Sequence, residues 1–349
     1  MILDWYKGKR VFVTGHTGFK GSWLVRMLME AEAEVYGYAL GAPTEPSLYK
    51  LTNTGNSIRE CIADIRNYER LEGAMKEFRP EIVLHLAAQP IVRESYRIPR
   101  ETFEVNVMGT VNVLEAARHT DSVRSIVNVT TDKVYLNKEE QRGYSEDDPL
   151  DGYDPYSNSK SCSDLVTHSY RSSFFNEAGV SVSTARAGNV IGGGDFAKDR
   201  IIPDCVRAAI AGEDVVLRNP SSVRPFQHVL EPLAAYLTIA AKQEEDPSVS
   251  GAYNVGPNAS DTVTTSELVG IFAEYWGNGF SFSVKHDGGP HEAGLLMLDS
   301  TKIAEVLGFE PRWGIREAVK KTVEWSKVYA DGGDVCACMS EQIADYFGK

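Results

Sequence analysis

Between Val127 and Asn137 the sequence reads VNVTTDKVYLN, a strand-like run that ends in Thr130, Thr131, Asp132 and Lys133. A carboxyl group beside an amine can serve as acid and base toward one substrate when both are held near it. On a solvated loop the same two residues form an ion pair contributing roughly 0 to 1 kcal/mol. Further along, DPYSNSK places Tyr156 and Lys160 four residues apart, hence on one face of a helix. Asp154 as N-cap and Pro155 in the first turn predict that a helix starts at this point. A lysine one turn from a tyrosine can lower the phenol's pKa, and the phenolate then removes a hydroxyl proton as hydride leaves the adjoining carbon. Taken alone, Tyr-x-x-x-Lys also describes a solvent-facing helix.

Such groups need elements to position them and a hydride acceptor to work with. From Arg10 to about Arg186, short β-branched runs alternate with amphipathic helical patterns. VFVTG (11 to 15), EVYGYAL (34 to 40), EIVLHLAA (81 to 88), SIVNVTT (125 to 131) and VSVSTARAGN (180 to 189) read as strands buried on both faces. Leu24, Met27, Leu28 and Ala31 form one helical stripe between the first two. This alternation predicts an α/β fold with a doubly wound parallel sheet. Gly15, Gly18 and Gly21, in VFVTGHTGFKGSWL, fall where the first strand meets the first helix. Glycine suits a tight turn whose backbone approaches a pyrophosphate, with the helix N-terminal amides meeting its charge. The end of the second strand, GYALGAPTEPSL, carries no acid before Glu45 and no basic residue before Lys50, which favours NAD over NADP. Asp64, in ADIRN, is a candidate for the adenine side, with a helix N-cap as its alternative role.

A chain of 349 residues exceeds the roughly 250 to 300 at which one hydrophobic core stops growing, so two lobes are expected. Beyond residue 189 the pattern loosens into loops, and YNVGPNASDTVTTSELV reads as a strand, a turn and a capped helix. The formal charge of -13 argues against nucleic acid or an anionic membrane as partner. Five scattered cysteines form neither a disulfide framework nor a zinc spacing, and no metal site is expected. The absence of an apolar signal core makes the cytoplasm the expected location.

With the glycine turn, the strand-ending Thr131, Tyr156 and Lys160 in one chain, the sequence resembles the extended short-chain dehydrogenase/reductase family over nearly its whole length. That family acts on nucleotide-activated sugars. The resemblance implies a Rossmann domain of residues 1 to 188 plus about 229 to 256. It also implies a smaller interleaved C-terminal α/β lobe of about 189 to 228 plus 257 to 349. Thr131, Tyr156 and Lys160 would be the catalytic trio. NAD, tightly bound and regenerated in each turnover, would contact Gly15, Thr17, Gly18, Phe19, Lys20 and Gly21 in the loop. Asp64 and Ile65, then Ala87, Ala88 and Gln89 in LHLAAQ, then Asn106 and Thr130 would complete its surroundings with Tyr156 and Lys160.

Within the family, epimerases need little besides the tyrosine, whereas dehydratases move protons at two neighbouring carbons. Asp132 and Lys133, with GHTGFKGSWL, AAQPIVRESY, GYDPYSNSK, AGNVIGGGDFAKDRIIP and RNPSSVRPFQHVLEP, resemble the dehydratase branch. By that resemblance Asp132 protonates the leaving hydroxyl and Lys133 takes the carbon 5 proton of CDP-glucose. Lys133 acts as a base only when neutral, so its pKa must fall from about 10.4. The alternatives are dehydration of a UDP-, GDP- or dTDP-linked sugar, an epimerase, and a non-catalytic NAD-sensing module. Arg200 and Arg224 are candidates for the diphosphate because planar guanidinium matches phosphate oxygens. Asn189, Gln89, Arg93 and His291, with Glu292 beside it, are further candidates; His85 is either a cleft residue or a core histidine. A homodimer or homotetramer is implied, joined through the Tyr156 helix and the helix spanning about 100 to 118.

Overall fold

The computed structural model describes residues 2–217, 219–277, 280–284 and 295–348. Its central sheet has seven strands: β1 Arg10–Thr14, β2 Glu34–Ala39, β3 Arg59–Ile62, β4 Ile82–His85, β5 Ser125–Val129, β6 Ser181–Ala187 and β7 Ala252–Val255. Their order is β7-β6-β5-β4-β1-β2-β3, and every pairing is parallel. The winding reverses between β1 and β4, where Thr14 pairs with His85, and a crevice opens at the carboxyl ends of such a pair.

Helices layer around it, among them α1 Phe19–Glu30, α2 Gly109–Arg118, α3 Pro155–Tyr170, α4 Leu230–Glu245, α5 Thr265–Trp276, α6 Ile315–Ala330 and α7 Val335–Phe347. Covered on both faces, β4, β5 and β6 are buried along their whole length, which is why their sequences are near-continuously apolar or small. In α1 the expected stripe goes inward: Leu24, Met27, Leu28 and Ala31 are buried, with Trp23 beside them, at about 1.5 to 3 kcal/mol for each large apolar side chain. β3 escaped the sequence reading because it is an edge strand whose four residues, RECI, all remain partly or fully exposed.

A second core lies outside the sheet. It gathers Ile202, Val215, Leu217, Leu268, Phe272 and Val319 around α5 and the helix Ile201–Ala211. α5 opens with the capping box expected of a capped helix, in which Thr264 and Glu267 bond each other's backbone. The last helix leaves this lobe: Met339, Ile343 and Tyr346 of α7 pack in the main core with α1 and α4. Two polar contacts seal that return. Arg26 donates to Ser340 Oγ at 3.1 Å, and the buried carboxylate of Glu231 accepts from the Trp313 amide and the Tyr346 hydroxyl, both at 2.7 Å. No helix among the described residues is long and apolar enough to cross a membrane.

Candidate active site

The glycine loop is shaped as the spacing predicts. Gly15 has φ +78°, and a Cβ there would meet the Ala87 amide nitrogen at 2.8 Å. A Cβ on Gly21 would stand 2.1 Å from the Gly15 carbonyl oxygen. Only glycine lets the loop fold this tightly against α1. Gly18 precedes Phe19 as the N-cap and brings no side chain to cap with, so the first amides of α1 are open to an anion. This cradle fits the pyrophosphate of NAD. Thr17 Oγ1 donates to the Leu40 carbonyl at 2.9 Å, tying the loop to the end of β2. Thr14 Oγ1 accepts from the Ala87 amide at 3.1 Å, which sets Ala87 and Ala88 beneath the loop.

Asp64 is not a helix cap: Asn67 caps the helix Tyr68–Phe78 instead. The Asp64 carboxylate accepts from the backbone and guanidinium of Arg66, and those bonds hold its pKa below the usual range. Ile65 is buried beside Gly109, where a Cβ would meet its Cδ1 at 2.4 Å.

Asp132 and Lys133 are not a solvated pair. Thr131 leaves β5 as the N-cap of a single turn, Asp132–Val134, and accepts from the Lys133 amide. The turn drives the Asp132 side chain inward to 1% exposure, whereas Lys133 keeps 28%. Asp132 Oδ1 accepts from Thr131 Oγ1 at 2.9 Å and from Lys133 Nζ at 3.2 Å. Its Oδ2 is buried and has no hydrogen-bond partner among the described residues. A buried carboxyl oxygen left unmatched is costly, and one at a cleft is suited to meet a ligand's hydroxyl. Lys133 Nζ also reaches Asn189 Oδ1 at 3.4 Å, so Asn189 joins this turn.

α3 starts where expected, with Pro155 in its first turn and Asp154 accepting from the Ser157 amide. Tyr156 and Lys160 are both buried on its inner face. Lys160 Nζ donates to the Val129 carbonyl at 2.9 Å, and burial brings its pKa down to about 8, although Asp164 opposes the fall. The expected lowering of the Tyr156 pKa by Lys160 is not what this protein alone provides. Burial pushes the phenol up to about 12 and Asp132 adds to the rise; a hydrogen bond with Thr131 and the charge of Arg200 work against it. Ionisation near neutrality therefore calls for positive charge beyond that of the chain.

Lys20 projects from the start of α1 into the same region. Burial, helped by the charges of Arg200, Lys160 and Lys133 and opposed by Asp132, lowers its pKa to about 7. Four basic side chains, Lys20, Lys133, Lys160 and Arg200, and one buried acid thus share one cleft.

The remaining candidates divide. Arg200 pairs with Asp195 at 2.9 Å and its charge is felt at Tyr156, so it stands at the cleft. Arg224 is buried on the short strand Val223–Arg224, with one guanidinium nitrogen on the Val223 carbonyl. Arg93 is half-buried on the helix Val92–Arg97. Gln89 and Asn106 are spent on each other: the Gln89 amide bonds Asn106 Oδ1 at 2.8 Å, while Asn106 Nδ2 bonds the Gln89 carbonyl and Ser159 of α3. The Gln89 side chain closes on Ile91 and Thr102. These two residues brace the cleft wall against α3. His85 is a core histidine held between Thr14 and Thr110, and burial drops its pKa to about 3. His291 and Glu292 lie outside the described residues.

Two residues that sequence reasoning passed over lie behind the trio. Asp164 continues the spacing of Tyr156 and Lys160 by one further turn, and Arg186 meets it from β6 in a buried, two-bonded ion pair at 2.8 and 2.9 Å. The spacing was the available signal for Asp164; nothing local marked Arg186.

The family described as GDP-mannose 4,6 dehydratase matches residues 12–322. Over 98% of its length the chain is 47% identical to the CDP-glucose 4,6-dehydratase of Salmonella typhimurium, 97% of which is covered. It is 30% identical to the dTDP-glucose 4,6-dehydratase of Streptomyces griseus, covering 90% of this chain and 93% of that protein. Among solved structures it is similar to the UDP-glucose 4-epimerase of Thermus thermophilus in complex with NAD. The TM-score there is 0.78 at 27% identity, over 91% of this chain and 99% of that one. The dTDP-glucose 4,6-dehydratase of Streptomyces venezuelae, with NAD bound, shares the fold at TM-score 0.78 and 24% identity, over 94% and 99% of the two chains.

Proposed function

This chain belongs to the GDP-mannose 4,6-dehydratase family, and from that premise we propose that it is a CDP-glucose 4,6-dehydratase, an NAD-dependent hydro-lyase. The product is CDP-4-keto-6-deoxyglucose, a precursor for deoxysugars of the kind found in surface polysaccharide. The observation that carries the reading is the 47% identity over nearly the full length to a protein of that activity. The burial of Asp132 beside Lys133 and Tyr156 supports the same reading.

NAD, when bound, would supply a hydride acceptor and donor for the sugar. The α1 amides, with Gly15, Gly18 and Gly21, would hold its pyrophosphate, and Lys160 would hold its ribose beside Tyr156. Tyr156 Oη takes the proton of the carbon 4 hydroxyl, with Thr131 Oγ1 fixing that oxygen. The carbon 4 ketone makes the carbon 5 hydrogen acidic, and Lys133 Nζ removes it. Asp132 Oδ2, the unmatched buried oxygen, passes to the carbon 6 hydroxyl a proton received from Lys133, whose loss of it leaves the amine neutral for the carbon 5 hydrogen; the hydroxyl leaves as water. Lys133 then returns a proton to carbon 5. Arg200, Arg224 and Asn189 face the diphosphate and sugar as planar donors.

Turnover in deuterated water tests the whole sequence. CDP-glucose should give a product lighter by one water and carrying deuterium at carbon 5, while the UDP, GDP and dTDP sugars stay unchanged. An unchanged CDP-glucose mass, or water loss only from another nucleotide sugar, would refute the assignment.

The enzyme is a homo-oligomer built through α3 and the segment before α2. Leu165 on α3 and Met108 are more than half exposed, at 54% and 53%, and Phe103 and Tyr96 add apolar surface on neighbouring helices. Such apolar exposure on adjoining helices supports an interface there. Leu165→Glu should convert the assembly to monomers in analytical ultracentrifugation; an unaltered sedimentation coefficient would place the interface elsewhere. All five cysteines are unpaired thiols, in keeping with a cytoplasmic enzyme.

A further inference from the structure

Tyr156, Lys160 and Asp164 occupy successive turns of α3, and all three are buried. Asp164 is saturated with donors. Its Oδ2 accepts from Arg186 Nε at 2.9 Å and Thr130 Oγ1 at 3.2 Å; its Oδ1 accepts from Arg186 Nη2 at 2.8 Å and Thr184 Oγ1 at 3.3 Å. Arg186 turns its other nitrogen to Tyr135 Oη at 2.9 Å and the Glu146 carbonyl at 3.0 Å, and lies over the Tyr135 ring. Tyr135 in turn donates to Asn254 Oδ1 of β7 at 2.6 Å. Thr130 and Tyr135 immediately flank the segment Thr131 to Val134. One ion pair therefore grips the catalytic helix and both ends of the catalytic turn.

Burying two opposite charges is costly, and a pair of apolar residues would often give equal or better stability. Holding the fold therefore does not by itself account for the pair. We propose that the Asp164–Arg186 pair is a positioning device for the dehydration: it locks Tyr156 and Lys160 in register with Asp132 and Lys133 and supplies the fixed negative charge that keeps Lys160 cationic. The inference rests on the reaction proposed above.

The charges around Lys160 make Asp164 the counter-ion. On α3 it is faced by Tyr156 and Asp164; from β4 comes His85, kept neutral by burial, and from α1 comes Lys20, which repels it. Asp132, at the end of β5, is drawn instead toward Lys133 and Thr131, and Arg186 lies on the far side of Asp164. With burial already bringing Lys160 to about 8, loss of Asp164's charge removes the one influence that opposes the fall. Activity that needs a cationic Lys160 is present below its pKa and lost as pH rises through it, so the alkaline limb must move to lower pH.

Asp164→Asn alone strands the Arg186 charge in a dry site, so the test uses Asp164→Asn combined with Arg186→Met, which removes both charges together. That holoenzyme should fold and bind NAD, with KM for CDP-glucose little changed and the alkaline limb of kcat displaced by about one pH unit or more toward acid. Arg186→Lys keeps the charge and loses the two-bonded grip; its limb should stay in place while kcat falls by about tenfold to a hundredfold. A double variant with the parental limb and kcat, or an Arg186→Lys enzyme with full kcat, overturns the inference. Failure of the parental enzyme to dehydrate CDP-glucose would instead refute the reaction, and these two failures are read in different proteins.

Discussion

Lys133→Met should lower steady-state formation of the 4-keto-6-deoxy product by about a thousandfold, the scale of a lost general base. In the proposed mechanism, oxidation at carbon 4 depends on Tyr156, Thr131 and Lys160, none of which is altered, and Thr131 still donates to Asp132 Oδ1. The variant should therefore start the reaction and stall after it. On mixing with CDP-glucose, the near-ultraviolet absorbance of reduced nicotinamide should rise and persist, and the carbon 5 hydrogen should not exchange with deuterated water. Normal turnover would return Lys133 to an ordinary ion pair; absence of reduced cofactor would mean that the lysine serves the oxidation instead. The experiment separates the chemistry that this fold shares with epimerases from the step that sets dehydratases apart.

Tyr156→Phe should fail earlier. Removing the phenol takes away the acceptor of the carbon 4 hydroxyl proton, and kcat should fall by about a thousandfold or more with no reduced nicotinamide at any stage. The position is buried and the change deletes one oxygen, so the fold and NAD binding should persist. In the chain without cofactor, burial sets the phenol at about 12, above Lys160 at about 8. With the positive charge of bound nicotinamide bringing the phenol below Lys160, the rate of reduction should rise with pH as the phenol ionises and fall once Lys160 loses its proton. Residual activity in Tyr156→Phe should lack the rising limb. If it survives there unchanged, a different base accepts that proton.

Features set within a few residues of chain were legible in the sequence. The glycine turn, the Asp154 and Pro155 start of α3 and the capped helix α5 depend on local geometry, and each stands where the sequence placed it. The buried strands announced themselves because parallel strands covered on both faces leave no polar alternation. β3 did not, since an edge strand with exposed charges lacks that mark. Within the site, the decisive fact about Asp132 is its burial, which arises from the turn capped by Thr131 and cannot be read from a dipeptide. Arg186 belonged to an unremarkable strand, and its partner is 22 residues away in sequence. Gln89 and Asn106 sat in motifs that pointed to ligands; the bonds they make to each other across the cleft wall could not be read from those motifs. His85 shows the same lesson at a single residue: two threonines from other elements satisfy its ring.

The return of α7 to the sheet has a kinetic consequence. Arg26 and Ser340, bonded in the native protein, are 314 residues apart along the chain. Contacts of such separation form late, because a long loop must close before they are rewarded. During synthesis the apolar flank of α1 emerges long before Met339, Ile343 and Tyr346 exist to cover it. α1 also carries the uncapped amides that fit a cofactor pyrophosphate. The nucleotide loop, among the first segments translated, thus acquires its final support only from the helix translated more than three hundred positions later.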